Sequence, residues 1–498
     1  MFFLSVLLSV FSMPGFLWGG FIWVSLIPLF ISLQKKSLIK GTFTTYFFGV
    51  LFLSITHYWL LPVLSVNVPE VLMSFPGYIG IICYFLMGLV MALPYLGIGF
   101  SYVLLRDKLK DRPIIFSLYV SSIFTIFEFL RSVGPLGFTG GRFSDALASQ
   151  TGILQILSIG GSMLGVFLIV FVNALIYSLW LKYKNKKIMI LAVVILVVFS
   201  VNGIIQQNIP FINYEKESME EIVGIQTNVP QSLKYNTDIK ESYNIILKSL
   251  EEVNNGSIVA FPEGTFMFDI RNSLYEKDFL NLIKDKNLKV LVGFPRYEKE
   301  SYNQIGLYTS EGVEKEFYAK IRLTPFAETL PFPEILGVFE FLKFLDFYEP
   351  GKEFTVFKID DNNIGAQICY DSYYSEVSRG LVNNGAEVLL TLTNDGWFNK
   401  TGRLQHSYQS MFRAIENGKY MIQVANTGIT AIYDPYGRML KKLPTIDENS
   451  SNHILSTFSY IPIKEKSFYT RYGEWIVYLS IIMAVIIFIY SLFIKRNE

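Results

Sequence analysis

Charge is what this chain has least of. Lys, Arg, Asp and Glu make up 17% of 498 residues, against about a quarter in an ordinary soluble domain, and mean hydropathy is +0.37. A wholly water-soluble protein is thereby excluded. Net charge is also nearly absent, at +1, so no basic field exists to attract nucleic acid, and no nucleic-acid-binding motif is present. Cysteine is limited to two residues: Cys83 in an apolar run and Cys369 in the more polar part of the chain. Two such residues build no disulfide framework, which leaves a thiol free for chemistry. Internal repeats and low-complexity linkers are missing as well.

The apolar excess sits at the two ends. Only 13 basic and 5 acidic residues occur through position 206, so the remaining residues hold most of the charge. A helix crossing a hydrocarbon core of roughly 30 Å needs about 20 mostly apolar residues. Spans are expected near 2–12, 15–33, 42–65, 75–105, 114–131, 156–181, 188–206 and 474–494, eight in all. The first lacks the basic residues that precede the apolar run of a signal peptide, so it reads as half of a hairpin turning at Pro14 and Gly15. Basic short loops stay cytoplasmic. Lys35, Lys36 and Lys40, then Arg106, Lys108, Lys110 and Arg112, then Lys182, Lys184, Lys186 and Lys187, then Lys495 and Arg496 follow the even-numbered spans. Both termini are therefore expected inside, with the polar segment outside. The expected division is a seven-span bundle over 1–206, an extracytoplasmic domain over 207–470, and an eighth helix with a cytoplasmic tail over 471–498.

Within the polar segment, Glu221 to Gln226, Ser257 to Phe261, Leu288 to Phe294, Ile364 to Cys369 and Glu387 to Thr393 read as strands, while Asp238 to Val253 and Asn272 to Asp285 carry helical spacing. Val-, Ile- and Leu-rich strands alternating with helices predict an α/β domain with a mainly buried sheet. Three stretches end a buried-type strand on a reactive residue, where catalytic groups collect in open α/β sheets: Phe261-Pro-Glu263-Gly, Tyr318-Ala-Lys320, and Ile368-Cys369-Tyr370-Asp371. A carboxylate, an ammonium and a thiol are the parts of thiol-mediated acyl transfer. Glu263 would take the thiol proton, Lys320 would stabilise thiolate and oxyanion, and Cys369 would attack an acyl carbonyl.

Glu263, Lys320 and Cys369, in that order, resemble the Glu-Lys-Cys triad of the nitrilase (carbon-nitrogen hydrolase) superfamily, which implies an αββα sandwich. Combined with eight spans, the chain is similar to the apolipoprotein N-acyltransferase family. The strings Gln226-Thr-Asn-Val-Pro-Gln-Ser-Leu-Lys234, Leu323-Thr-Pro-Phe-Ala-Glu328, Asn394-Asp-Gly-Trp397-Phe398 and Glu128-Phe-Leu-Arg131-Ser carry that likeness. It implies a bacterial inner-membrane enzyme with a periplasmic site and a ping-pong reaction. Cys369 would accept an acyl chain from a phospholipid, expected to be phosphatidylethanolamine. The α-amino group of a diacylglyceryl-cysteine apolipoprotein would then take it, with no metal or cofactor. Two positions depart from the family pattern: Tyr235 stands where Trp is usual, and Asp371 where Glu is usual.

Further residues are expected to support the reaction. A carboxylate in an apolar loop is costly if buried unpaired, so Glu328 is expected against Lys320 or the thiol. Tyr370, Asp371, Trp397, Phe398 and Tyr235 are candidate substrate contacts, the aromatic ones equally readable as core. His406, on an expected helix over 405–417, reads as structural, with no second ligand four residues on. Glu128 and Arg131 read as a structural pair or a head-group contact. Pro331 to Phe347 is expected to dip into the outer leaflet and gate lipid access through Phe339, Phe341 and Phe344. The competing functions are a membrane-anchored amidase with water as acceptor, and a transporter or receptor; few ionisable residues in the spans disfavour the last.

Overall fold

The structure, a computed structural model, describes residues 1–72, 75–179, 190, 194, 197, 198, 200–202, 204, 205, 219–235, 239–338, 348–445 and 452–494. By contacts the chain divides into two compact units, one formed by Met1–Leu61, Tyr78–Pro210 and Tyr472–Glu498, the other by Pro62–Gly77 and Phe211–Arg471.

The first unit is helical. Among the described residues, five helical stretches are long and apolar enough to cross a membrane: Leu38–Thr56, Gly77–Leu109, Pro113–Leu130, Leu157–Ser178 and Trp475–Leu492. Gly77–Leu109 divides before Pro94 into Gly77–Met91 and Pro94–Leu109. The first expected span is a helix of 10 residues, Phe2–Phe11, only about 15 Å long at 1.5 Å per residue. The second contains a 3-10 turn at Gly19–Trp23 before the helix Ile27–Leu33. The seventh expected span, 188–206, and the basic residues Lys182, Lys184, Lys186, Lys187, Lys495 and Arg496 lie wholly or mostly outside the described residues. Two buried polar clusters inside this unit are paired internally, as a low-dielectric surrounding favours. Asn173 accepts from the Leu26 amide and donates to the Ile22 carbonyl, each at 2.9 Å. Glu128 and Arg131 form a buried pair at 2.9 Å, closed by Tyr95 on Glu128 at 2.8 Å and by the Gly140 carbonyl on Arg131 at 2.7 Å.

The second unit holds two six-stranded sheets. Numbered in chain order, the first contains β1 (Glu220–Gln226), β2 (Ile258–Ala260), β3 (Lys289–Tyr297), β4 (Ser301–Thr309) and β5 (Gly312–Ala319), with β12 (Ile454–Tyr460) added on β1. The second contains β6 (Val356–Ile359), β7 (Asn362–Ile368), β8 (Val388–Thr393), β9 (Met421–Ala425), β10 (Ala431–Tyr433) and β11 (Met439–Lys442). Each sheet has a parallel centre, β1-β2-β3 and β7-β8-β9, flanked by antiparallel strands. The sheets lie face to face: a Cβ on Gly224 of β1 would come within 3.2 Å of Val424 on β9.

Helices cover the outer faces. Lys240–Glu251 (α1) and Leu274–Lys286 (α2) place Tyr243, Ile246, Leu250, Phe279 and Ile283 in one core with Val259, Val290 and Val292 of the first sheet. Ser375–Asn383 (α3) lies on β7, where a Cβ on Gly365 would meet Leu381 at 3.1 Å. Lys400–Asn417 (α4) begins where the Asn399 side chain accepts from the Thr401 and Gly402 amides, an N-cap satisfying donors the helix leaves open. The layers run helix, sheet, sheet, helix, the sandwich expected above. The five expected strands and three expected helices are all present. The strand end expected at Tyr318 and Ala319 is the end of β5; β4, β6 and β9–β12 are additional to the expected strands.

Candidate active site

Three strands deliver the three reactive groups to one place. Glu263 lies just beyond β2, Lys320 just beyond β5 and Cys369 just beyond β7. The loop bearing Glu263 packs so closely over β3 that position 293 has no room for a side chain: a Cβ there would stand 2.9 Å from the Glu263 Cα. Cys369 has φ +45°, a left-handed conformation costing a side-chain-bearing residue about 1–3 kcal/mol. Asp371 helps impose it. Its Oδ2 accepts from the Ile368 amide at 3.1 Å and the Tyr318 hydroxyl at 2.7 Å, and its Oδ1 from the Arg322 amide at 2.7 Å.

The Lys320 ammonium is 2% exposed and sits 3.0 Å from Glu263 and 2.8 Å from Glu328. Asn303 of β4 donates to both carboxylates, at 3.0 and 2.7 Å. Glu263 Oε2 accepts from the Asn394 amide at 3.2 Å, and Glu328 Oε2 from the Thr324 amide at 2.8 Å. The Cys369 thiol hydrogen-bonds Glu263. Lys234, buried, donates its Nζ to the Glu263 carbonyl at 3.1 Å.

Burial and charge fix the resting protonation. Burial pushes the Glu263 carboxyl up, but the Lys320 charge and the hydrogen bonds from Lys320, Asn303 and Cys369 hold it below its ordinary value. Burial acts against the Lys320 charge, yet Glu263 and Glu328 raise it well above the usual ammonium range. Burial and the Glu263 charge push the Cys369 thiol well up, with Lys320 opposing. The resting site is therefore thiol, carboxylate and ammonium. A protonated thiol with a carboxylate already bonded to it can pass its proton as it attacks, and the ammonium can meet the charge that develops. Lys234 is drawn down to about 7 by burial, which the Glu263 charge opposes.

Of the other expected residues, the structure brings Glu328 against Lys320. Asp371 is fully buried and holds the turn after β7 instead of joining the carboxylate pair; burial raises it to about 6. Tyr235 and Trp397 pack ring on ring at 5.4 Å. Tyr370 packs against Tyr374 at 5.3 Å and takes its hydroxyl hydrogen bond at 3.1 Å. Phe398 lies edge-on to His406 at 6.2 Å. Phe339, Phe341 and Phe344 lie outside the described residues, while Phe332, Ile335 and Val338 before them are 43%, 67% and 72% exposed. Asn303, Thr393 and Lys234 had no assigned part in the sequence reading. Cys369, Asp395 and His406 offer ligand-type atoms within 4.8 Å of one another, but the imidazole nitrogens already face Asp395 and the Cys369 carbonyl.

Both parts of the chain match known families. Residues 225–453 match the carbon-nitrogen hydrolase family, and residues 5–175 match the apolipoprotein N-acyltransferase N-terminal domain. A Thermotoga maritima protein named apolipoprotein N-acyltransferase is 40% identical over 503 residues, covering 100% of this chain and 95% of that protein. One of the same name from Borreliella burgdorferi is 26% identical, over 93% of this chain and 89% of its own length. Among solved structures, Saccharomyces cerevisiae Nit3, of the nitrilase superfamily, aligns at 16% identity and a TM-score of 0.38, covering 51% of this chain and 95% of that one.

Proposed function

This chain belongs to the apolipoprotein N-acyltransferase family, an acyltransferase with a carbon-nitrogen hydrolase domain, and we propose from its site that it moves an acyl chain from phospholipid to lipoprotein through Cys369. The observation that carries the proposal is the convergence of a thiol, a carboxylate bonded to it, and a buried ammonium.

In the first half-reaction Cys369 Sγ attacks the acyl carbonyl of a phospholipid, phosphatidylethanolamine being the expected donor. Glu263 takes the thiol proton while Lys320 meets the negative charge on the carbonyl oxygen. The C–O bond breaks, the proton passes from Glu263 to the departing alcohol, and a lysophospholipid leaves. In the second half-reaction the α-amine of the diacylglyceryl-cysteine attacks the thioester, an N–C bond replaces S–C, and the proton lost by the amine returns to sulfur through Glu263. No redox or nucleotide chemistry enters, because a thioester keeps the acyl group activated.

The membrane unit supports this reading, since both substrates keep their acyl chains in the bilayer. We place the domain on the periplasmic face of a bacterial inner membrane, with both termini cytoplasmic, from the basic loops. The exposed Phe332, Ile335 and Val338 support contact of the 331–347 segment with lipid. Tyr235, Trp397, Tyr370 and Phe398 are the aromatic residues proposed to meet substrate.

Intact-protein mass spectrometry tests the proposal. After incubation with phosphatidylethanolamine, one hydroxylamine-sensitive acyl adduct is expected on Cys369, moving to the amine of an added diacylated lipopeptide. An adduct lost only to water would make the chain an amidase-like hydrolase; no adduct at all would sink the reading. Asn303→Ala should slow adduct formation about ten- to a hundredfold, the equivalent of roughly 1.5–3 kcal/mol for hydrogen bonds to charged groups. An unchanged rate in stopped-time adduct measurements would remove Asn303 from the machinery.

A further inference from the structure

His406 lies under the reactive cysteine, in a setting that neither the triad nor the family likeness accounts for. It sits on α4 with its side chain fully enclosed, and the Asp395 side chain, after β8, is enclosed as well. Its Nδ1 is 2.7 Å from Asp395 Oδ1. Its Nε2 is 3.1 Å from the Cys369 carbonyl and 3.0 Å from Ser372 Oγ. Seven residues on, on the same helix face, Arg413 donates to the Ser372 carbonyl at 2.9 Å and the Tyr373 carbonyl at 3.2 Å. One face of α4 thus holds successive carbonyls of the turn that begins at Cys369.

The partners dictate the charge. A carbonyl only accepts, and so does an ionised carboxylate. Asp395 Oδ1 already accepts from Thr393 Oγ1 at 2.8 Å, and a proton on Oδ2 would have no hydrogen-bond partner. Asp395 is therefore the acceptor on one side; on the other the Ser372 hydroxyl can donate or accept, but the Cys369 carbonyl can only accept, so a hydrogen bond to it needs an N–H on Nε2 as well. Only imidazolium presents N–H on both sides. The Tyr373 ring, stacked at 5.3 Å and 6° from coplanar, offers a face to that cation. Burial opposes the charge, but Asp395, the Cys369 carbonyl and Glu263 raise the His406 value.

We propose that His406, held as imidazolium by Asp395, is a positioning residue that clamps the Cys369 carbonyl and fixes the left-handed turn from which the thiol attacks. The clamp rests on the reading of Cys369 as the acyl-accepting thiol. Asp371 secures the same turn from its other side, through the Ile368 amide, so the strained residue is held at the peptide that follows it and at the amide of the residue before it. Its folded value being raised, the clamp is complete at low pH and is lost as pH rises through that value. The groups facing it are Asp395 and Thr393 after β8, Cys369, Ser372 and Tyr373 after β7, and the Glu263 charge after β2.

The chain has three histidines, so ¹⁵N-histidine labelling of the full-length protein in detergent resolves them, with His406→Gln assigning the signal. The expected result is a doubly protonated His406 at pH 7.5. His406→Gln is expected to form the Cys369 thioester about ten- to a hundredfold more slowly, with unchanged KM for phosphatidylethanolamine and without the wild-type decline at high pH. Asp395→Asn should turn the ring neutral and slow the same step. A neutral wild-type imidazole at pH 7.5 would overturn the clamp, as would a His406→Gln protein acylating at the wild-type rate. The ring's charge is read without turnover, so it decides the clamp even if the variants fail to fold. If wild-type protein formed no Cys369 adduct, the function would fall, whatever the ring's charge.

Discussion

Cys369→Ala is expected to carry no acyl group after incubation with phospholipid and to transfer none, a loss of at least about 10³-fold relative to wild type. The substitution removes the sulfur and leaves the fold. Alanine keeps the β-carbon that the left-handed conformation already tolerates, and the turn is held by Asp371 and His406, not by the thiol. Cys369→Ser should be nearly as inactive. Glu263 is held below the ordinary carboxyl range, which makes it a weak base. It can accept a thiol proton in step with attack but is poorly matched to a serine hydroxyl. Cys83→Ala, altering the other free cysteine, should retain full turnover. The measurement is adduct mass together with transfer to lipopeptide, beside an unfolding midpoint for each variant. A folded Cys369→Ala protein that still acylates lipopeptide would end the thioester mechanism.

The same weak-base character gives a pH dependence. Acylation needs Glu263 ionised, so its rate should fall as pH drops through the lowered Glu263 value, and the acid limb should therefore lie below the usual carboxyl range.

The reactive groups were legible in the sequence because each is a chemically conspicuous residue ending a strand with an evident apolar run. Among their partners Glu328 was legible too, as a carboxylate in an apolar loop; the others were not, because pairing between distant segments places them. Asn303 meets Glu263 and Glu328 only because β4 runs beside β3 and β5, and its own stretch, Ser301-Tyr-Asn-Gln, carries no motif. β5 is legible only at its Tyr318-Ala end, since Glu314, Lys315 and Glu316 are exposed and break the apolar pattern. β12 joins β1 from more than two hundred residues away. From its sequence His406 reads as structural, and only the fold brings its Nε2 to the Cys369 carbonyl. The apolar spans were read by composition, which does not register the 3-10 turn at Gly19–Trp23 or the break before Pro94.

The second large effect belongs to Lys320, where activity and stability fall together. Lys320 is 2% exposed between Glu263 and Glu328, each 13% exposed. Lys320→Met fills similar volume but leaves two carboxylates facing each other with Asn303 as their shared neutral donor. Breaking a buried ion pair from one side costs about 3–5 kcal/mol, so a marked fall in the unfolding midpoint at pH 7.5 is expected, together with loss of thioester formation.

The pH dependence follows from the signs. In wild type the raised Lys320 value makes its contribution complete at neutral pH and lost only as pH rises through that high value. The lowered Glu263 value makes that carboxylate's contribution present above its unfolded pKa of about 4.3 and lost below its folded one. Without the ammonium, burial acts on Glu263 against only its hydrogen bonds, and its folded value rises, so the variant is relieved by acid. The gap between the two midpoints should thus be widest near neutrality and narrow as pH approaches the ordinary carboxyl range. Lys320→Met combined with Glu328→Gln removes one charge of the facing pair, and should recover much of the stability while leaving thioester formation absent. That split separates the ammonium's part in the fold from its part at the acyl carbonyl. A Lys320→Met protein as stable as wild type at pH 7.5, or a double variant that regains turnover, would contradict the account.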